Sequence, residues 1–249
     1  MADIFTTIFY QPILNLLVFL YNTISFHDFG LAIVFLTVIL KLVLWPLGRS
    51  SIKSQKSLQD LQPKLDKLKK KYADDKAGLS RATMDLYKEN KVNPFSSCLP
   101  LLIQLPFLIA VYRVFRDGVN SKLDYVYSFI ARPETINLVS FSFLDLGKPN
   151  IVLAVLAGLA QFWQAKMMVT KKPAANIPGA KDENMAAIMN KQMLYFMPAI
   201  TIFIGISLPG GLTLYWFVLT IFTVFQQMLT FHKHKDAAIE KTVEGTIVK

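Results

Sequence analysis

Five stretches of this chain are apolar over close to the ~20 residues that a ~30 Å hydrocarbon layer requires, and this constrains the fold more than any other property. They run from Gly30 to Leu47, Phe95 to Arg116, Asn150 to Met168, Asn190 to Leu208 and Leu212 to Phe231. Inside lipid no water satisfies a free N–H or C=O, so a chain of such stretches crosses as helices rather than as open strands. The connectors are as basic as the stretches are oily. With 53% hydrophobic residues and a formal charge of +10, the sequence has the make-up of a polytopic membrane protein and not of a soluble domain. Cys98 is the single cysteine, so neither an intramolecular disulfide nor a cysteine-cluster metal site is available.

Lysine and arginine collect over residues 48–93, in the loop with Lys171, Lys172 and Lys181, and in the tail with Lys233 and Lys235. None precedes Lys41, and residues 117–149 are nearly balanced in charge. The positive-inside rule then puts the N-terminus outside and the C-terminus inside, which needs an odd number of spans. Ile4 to Phe26 is therefore not expected to be a sixth: Pro12 divides it and leaves roughly 14 residues, about 21 Å of helix. Gln11, Asn15 and Asn22 fall on one side at helical spacing, which predicts an interfacial amphipathic helix. The segment has neither the basic start nor the small-residue cleavage site of a signal peptide. The expected layout is all-α. An external amphipathic helix covers 1–27, spans cover 28–48, 94–116, 150–168, 190–208 and 211–231, and a cytoplasmic helical hairpin covers 49–93. An external segment occupies 117–149, a cytoplasmic loop 169–189 and a basic cytoplasmic tail 232–249.

Within the hairpin, Leu58, Leu61, Leu65, Leu68 and Tyr72 form one stripe at three-four spacing, and Leu79, Thr83 and Leu86 offer a weaker partner stripe. Pro63 is expected to kink or interrupt the first arm. Lys171 to Asn184 reads as a flexible linker. Tyr125, Tyr127, Phe129, Phe141 and Phe143 are expected at headgroup level as interfacial aromatics.

Lys41 is a cation inside the first span, and no span contains an acidic residue to pair with it. Two readings stand: the ammonium snorkels to the cytoplasmic surface past Pro46, or it faces a hydrated cavity. Thr37 lies one turn earlier on the same face, which suggests a wet stripe. Gln104, Gln161, Gln164, Gln226 and Gln227 either extend that stripe or act as helix-to-helix hydrogen-bond glue. No catalytic constellation is present. His27, His232 and His234 lie outside the spans, and no intramembrane acidic pair exists for a protease, a metal or coupled transport, so neither enzyme activity nor a cofactor is expected. An ammonium in a half-open cavity suits another task, giving the acidic part of a second polypeptide a transient place as it leaves water.

Several motifs, in order, resemble the YidC/Oxa/Alb family of membrane protein insertases. They begin with Gln11-Pro12, Ile33 to Lys41 followed by Pro46-Leu47, and Leu61-Gln62-Pro63-Lys64. Asn93-Pro94-Phe95, Leu99-Pro100, Gln104-Leu105-Pro106 and Gln164-Ala165-Lys166-Met167 follow. Met197-Pro198, Pro209 to Trp216 and Gln226-Gln227 complete the series. The resemblance implies five helices around a hydrophilic groove, open to the cytoplasm and closed outside, that places hydrophobic segments and short tails into the bilayer without nucleotide. Lys41 stands where the family usually has arginine, keeping the charge but not the bidentate fork. With it the resemblance implies Thr37 as a groove residue, and Tyr215 and Trp216 facing incoming segments; Gln104, Gln161, Gln164 and Gln226 join them as groove candidates by their polar character within the spans. Lys64, Lys67, Lys69, Lys70 and Lys71 would recruit substrate on the hairpin. The implied setting is a bacterial plasma membrane, with nascent membrane proteins as substrates, the ribosome and Sec translocon as further partners, anionic lipid against the lysines, and no DNA. The chain resembles compact members that lack a large external domain; without an early cysteine for a lipid anchor, its N-terminus is expected to be held by the amphipathic helix. A small-solute channel or transporter, or a structural assembly factor for membrane complexes, are the alternatives. Ion flux without a polypeptide would mark the first, and a groove packed shut the second.

Overall fold

Pro12 does not stop the first helix. A proline lacks the N–H for an i→i−4 bond and its ring crowds the carbonyl four residues back, and here a wide π turn over Thr6–Tyr10 takes up the misfit. The N–H of Gln11 bonds to the Thr6 carbonyl, and α1 continues over Gln11–Thr23. This computed structural model describes residues 4–73, 75–93, 99–117, 119–168 and 192–247. The remaining α-helices described are α2 (Phe29–Val43), α3 (Trp45–Lys71), α4 (Lys76–Glu89), α5 (Leu99–Arg116), α6 (Ile151–Met168), α7 (Met197–Gly205) and α8 (Gly210–Ile247). The expected linker Lys171 to Asn184 lies outside the described residues.

The polar side of α1 is not left to water. Asn15 is buried; its amide donates to the Tyr125 carbonyl (3.0 Å), and its own oxygen accepts from the Tyr127 N–H (2.6 Å). Gln11 donates to the same Tyr125 carbonyl and Asn22 to that of Ala131 (2.7 Å). The stripe read as the wet face of an amphipathic helix is a docking strip for the 119–131 stretch, and α1 turns Ile4, Ile8 and Phe19 outward instead. Residues 119–149 form a cap whose Val119, Val126, Ile136 and Leu146 join the main apolar core, while Phe129 and Phe143 remain about 80% exposed. A 3₁₀ turn (Val119–Tyr125) and two short antiparallel strands, β1 (Val139–Ser140) and β2 (Leu144–Asp145), complete the cap. They are the departure from an all-α chain, which is otherwise mostly helical among the described residues. Beside the strands, the Lys148 ammonium and the Gly147 N–H hold the Asp145 carboxyl below its usual value.

Asp28 ties this cap to α2. Its carboxylate accepts from the Leu31 N–H as the helix N-cap (3.0 Å), from the Phe141 N–H (2.6 Å) and from the Ser140 hydroxyl. Asp28→Ala removes all three, and a loss of about 2 kcal/mol is expected, read as a lower thermal unfolding midpoint in detergent. Gly210 and Gly211 make the matching tie from α8. Their N–H groups, orphaned at the helix start, donate to the carbonyls of Lys148 (2.8 Å) and Leu146 (2.9 Å).

Small residues let the other helices approach. A side chain at Gly158 of α6 would collide with Ile202 of α7, and one at Gly205 would lie 2.9 Å from Ala154 Cβ, so α6, α7 and α8 pack closely. Burial is uneven along the helices. In α2, Phe29, Gly30, Ala32, Ile33, Leu36 and Thr37 are buried, and no residue from Val38 to Ser50 is. In α5, Ala110, Val111 and Val114 are buried, and none from Leu102 to Ile109 is. Both helices are therefore tightly packed at the cap end and loosely packed toward the other.

Between α2 and α3 the chain bends by 69° at Leu44. Pro46 sits in the first turn of α3, where its missing N–H costs nothing, so it starts a helix rather than ending one. Pro63, expected to kink or interrupt this arm, lies within a helix that runs unbroken to Lys71. Leu61 and Leu65 are buried where α3 meets α4. By length and composition, two helices among the described residues suffice to cross a membrane, Ile151–Met168 and Gly210–Phe231. The bent α2–α3 pair makes a third if taken as one span, and the apolar Gln192–Gly205 is shorter. The bend shortens the first apolar stretch, and Phe95 to Cys98 of the second lie outside the described residues.

Candidate functional site

Lys41 occupies the last turn of α2, where the carbonyl end of the helix favours a cation. Its ammonium reaches sideways to α8 and donates to the Thr223 hydroxyl at 2.8 Å. That hydroxyl gives its own proton to the Leu219 carbonyl, which leaves its oxygen free to accept from lysine. An ammonium carries three N–H donors, and among the described residues no carboxylate forms an ion pair with this one. The side chain is half-buried, in the part of α2 beyond Thr37 where no residue is buried. The site thus holds a positive charge with a single neutral anchor.

The other expected groove residues divide. Gln104, half-buried on α5, donates to the Tyr215 hydroxyl at 2.6 Å, linking α5 to α8 about two turns nearer the cap than Thr223. Tyr215 itself is fully buried in the apolar core, so its ring does not face an incoming segment; only its hydroxyl reaches the Gln104 amide. Trp216 is half-buried. Thr37 is fully buried and its hydroxyl donates to the Ile33 carbonyl (2.7 Å), so it does not continue a wet stripe from Lys41. Gln161 accepts from the Thr201 hydroxyl and joins α6 to α7, while Gln164 is half-buried one turn further along α6. Gln226 is 1% exposed and donates to the Trp45 carbonyl (3.0 Å), which makes it helix-to-helix glue at the bend. Gln227 beside it is also buried.

On the hairpin, Lys64, Lys67, Lys70 and Lys71 are exposed and Lys69 is half-buried. Lys64 reaches Asn90 of α4 at 3.4 Å, and the Lys71 ammonium lies 5.4 Å from the centre of the Tyr72 ring. At the other end of the molecule, burial first and the Asp117 carboxylate next push the Tyr10 hydroxyl up to about 12, so it is neutral at any ordinary pH. The sequence reading missed Thr223. Nothing about a threonine in an apolar helix distinguishes it, and only its position, three residues before Gln226, hints that it shares a face with other polar groups.

The family model described as 60Kd inner membrane protein matches residues 19–237. A protein from Fusobacterium nucleatum called membrane protein insertase YidC is 35% identical over 227 residues, which are 90% of this chain and 97% of that one. One of the same name from Oceanobacillus iheyensis is 34% identical over 91% of this chain and 83% of its own length. Another from Syntrophus aciditrophicus is 37% identical over 87% of this chain, but the match spans only 35% of that longer protein. A lone basic residue near the loosely packed end of the first long apolar helix, a basic hairpin behind it and matches of this extent lead to one assignment: the chain belongs to the YidC/Oxa family, that of the 60Kd inner membrane protein.

Proposed function

We propose that this chain is a membrane protein insertase and chaperone that works without nucleotide. The observation that carries the reading is Lys41: a half-buried cation with one neutral partner, set where α2 passes from its buried half into a stretch with no buried residue. The layout that goes with it has five spans, the cap outside, and the α3–α4 hairpin and the end of α8 inside, as the distribution of lysine and arginine supports. Moving an isolated charge to the bilayer centre costs at least ~2.5 kcal/mol. A partly hydrated groove that opens toward the hairpin end and carries Lys41 lowers this barrier for an acidic tail, and water in the groove keeps the attraction reversible. The hydrophobic effect then draws the apolar part of the substrate into lipid. Exposed lysines on the hairpin receive the nascent chain or anionic lipid, and the ribosome and Sec translocon are partners by family only.

Purified protein in liposomes, without nucleotide, is expected to insert a single-span substrate with a short acidic tail. Protease protection of the tail measures it. Equal protection in protein-free liposomes would remove the insertase reading, and ion flux without any polypeptide would point to a channel.

A further inference from the structure

Gln226 is buried in α8, yet its amide is used outside its own helix, on the Trp45 carbonyl in the first turn of α3. Gly48 makes room for it: a Cβ at Gly48 would come within 2.9 Å of both the amide nitrogen and the amide oxygen. Around this contact Trp45 meets Phe222 edge-on at 5.8 Å, and the Lys56 ammonium lies 5.7 Å from the centre of the Phe231 ring. Ser51 and Ile52 are buried between these contacts. The base of the hairpin is thus fastened to α8 over about three turns.

The same two stretches of chain hold the ammonium. Thr223 precedes Gln226 by three residues on α8, so these two share a face about a turn apart, while Lys41 and Trp45, four residues apart, end α2 and start α3. Lys41 to Thr223 and Trp45 to Gln226 are two successive rungs between the same segments, one on each side of the bend at Leu44. The first rung joins a flexible side chain to a neutral hydroxyl. The second, made by a buried amide to backbone, is the one able to fix the geometry.

We infer that Gln226 is a positioning residue: it sets the bend between α2 and α3 against α8 and thereby holds the Lys41 ammonium at the site, rather than contacting substrate itself. This rests on the insertase reading for its consequence, but not for its geometry. A hairpin pulled away from α8 breaks the Gln226 rung first and then displaces Lys41, so the position of the hairpin is coupled to the charge that receives the tail.

The test uses two variants in the full chain with Cys98→Ser. Gln226→Leu removes the donor at similar volume, and Gly48→Ala displaces the amide without removing it. Nitroxides at Leu42→Cys and Met228→Cys, both exposed positions, report the spacing of the α2 end and α8 by electron paramagnetic resonance. A second pair at Val155→Cys and Phe225→Cys reports α6 against α8. Both variants are expected to lengthen or broaden the first distance and leave the second unchanged. Insertion of an acidic-tailed substrate is expected to fall about tenfold, and that of an uncharged-tailed one less than twofold, as for loss of one hydrogen bond's worth of alignment. An unchanged first distance overturns the inference, and so does an equal fall for both tails, which would mark a merely structural role. Should wild type fail to insert either substrate, the insertase reading falls, while the distances still decide whether Gln226 sets the bend.

Discussion

Lys41→Glu is expected to abolish insertion of a substrate with an acidic tail, with Lys41→Ala lowering it about tenfold and Lys41→Arg retaining it. The ordering follows from charge. At about 4 Å and an effective dielectric near 20, one ion pair amounts to roughly 4 kcal/mol, and hydration of the groove leaves a fraction of that. Removing the ammonium therefore costs about the 1.4 kcal/mol that a tenfold change represents, while reversing it adds a repulsion of similar size. The Thr223 hydroxyl accepts from a lysine or an arginine alike, because it already donates its own proton to Leu219. The informative control is a substrate with a basic tail: Lys41→Glu should favour it relative to wild type, since only the sign of the site has changed. Protease protection of matched acidic, neutral and basic tails measures all three. Wild-type rates for the acidic tail in Lys41→Glu would take Lys41 out of the mechanism.

How far this site was legible in the sequence depends on how local each determinant is. The apolar stretches and the unpaired lysine could be read directly, because hydrophobic length and a missing counter-charge are properties of the chain itself. Proline was harder to read. Pro63 reads as a kink or a break and is carried inside α3, while Pro46, inside the expected first span, starts a new helix, since a proline shows where an N–H is missing but not which side of it is helical. Asn15 and Tyr125 are 110 residues apart, so a stripe at helical spacing showed that α1 had a polar side without showing that a cap would cover it. Thr37 shares a face with Lys41 at i−4 and Tyr215 is a groove residue by resemblance alone; both are buried, because burial along α2 ends just beyond Thr37 and Tyr215 lies in the apolar core. A change in packing along a helix leaves no periodic mark.

Gly211→Ala carries the other large effect, at the cap ends of the helices. The Pro209-Gly210-Gly211 run begins α8, and its N–H groups reach the cap at Lys148 and Leu146. A Cβ on Gly211 would run into the ring of Phe115 from α5 and lie 3.2 Å from Ile33 Cδ1 of α2. Three helices therefore converge on a position with room for hydrogen alone. Inserting even one methyl into such packing typically costs 1–3 kcal/mol, and about 2 kcal/mol is expected here from thermal unfolding in detergent, with more for Gly211→Val. A double-mutant cycle separates crowding from backbone effects. If the Phe115 ring is the obstacle, Phe115→Ala should absorb more than half of the cost of Gly211→Ala, because the methyl then enters space the ring has left. An unchanged cost in that background would instead place the constraint in the backbone bonds to Lys148 and Leu146. Phe115 belongs to the same packed ends of α2, α5 and α8 that the Asp28 tie secures, so its crowding and the unburied stretch of α2 that carries Lys41 lie at opposite ends of that helix.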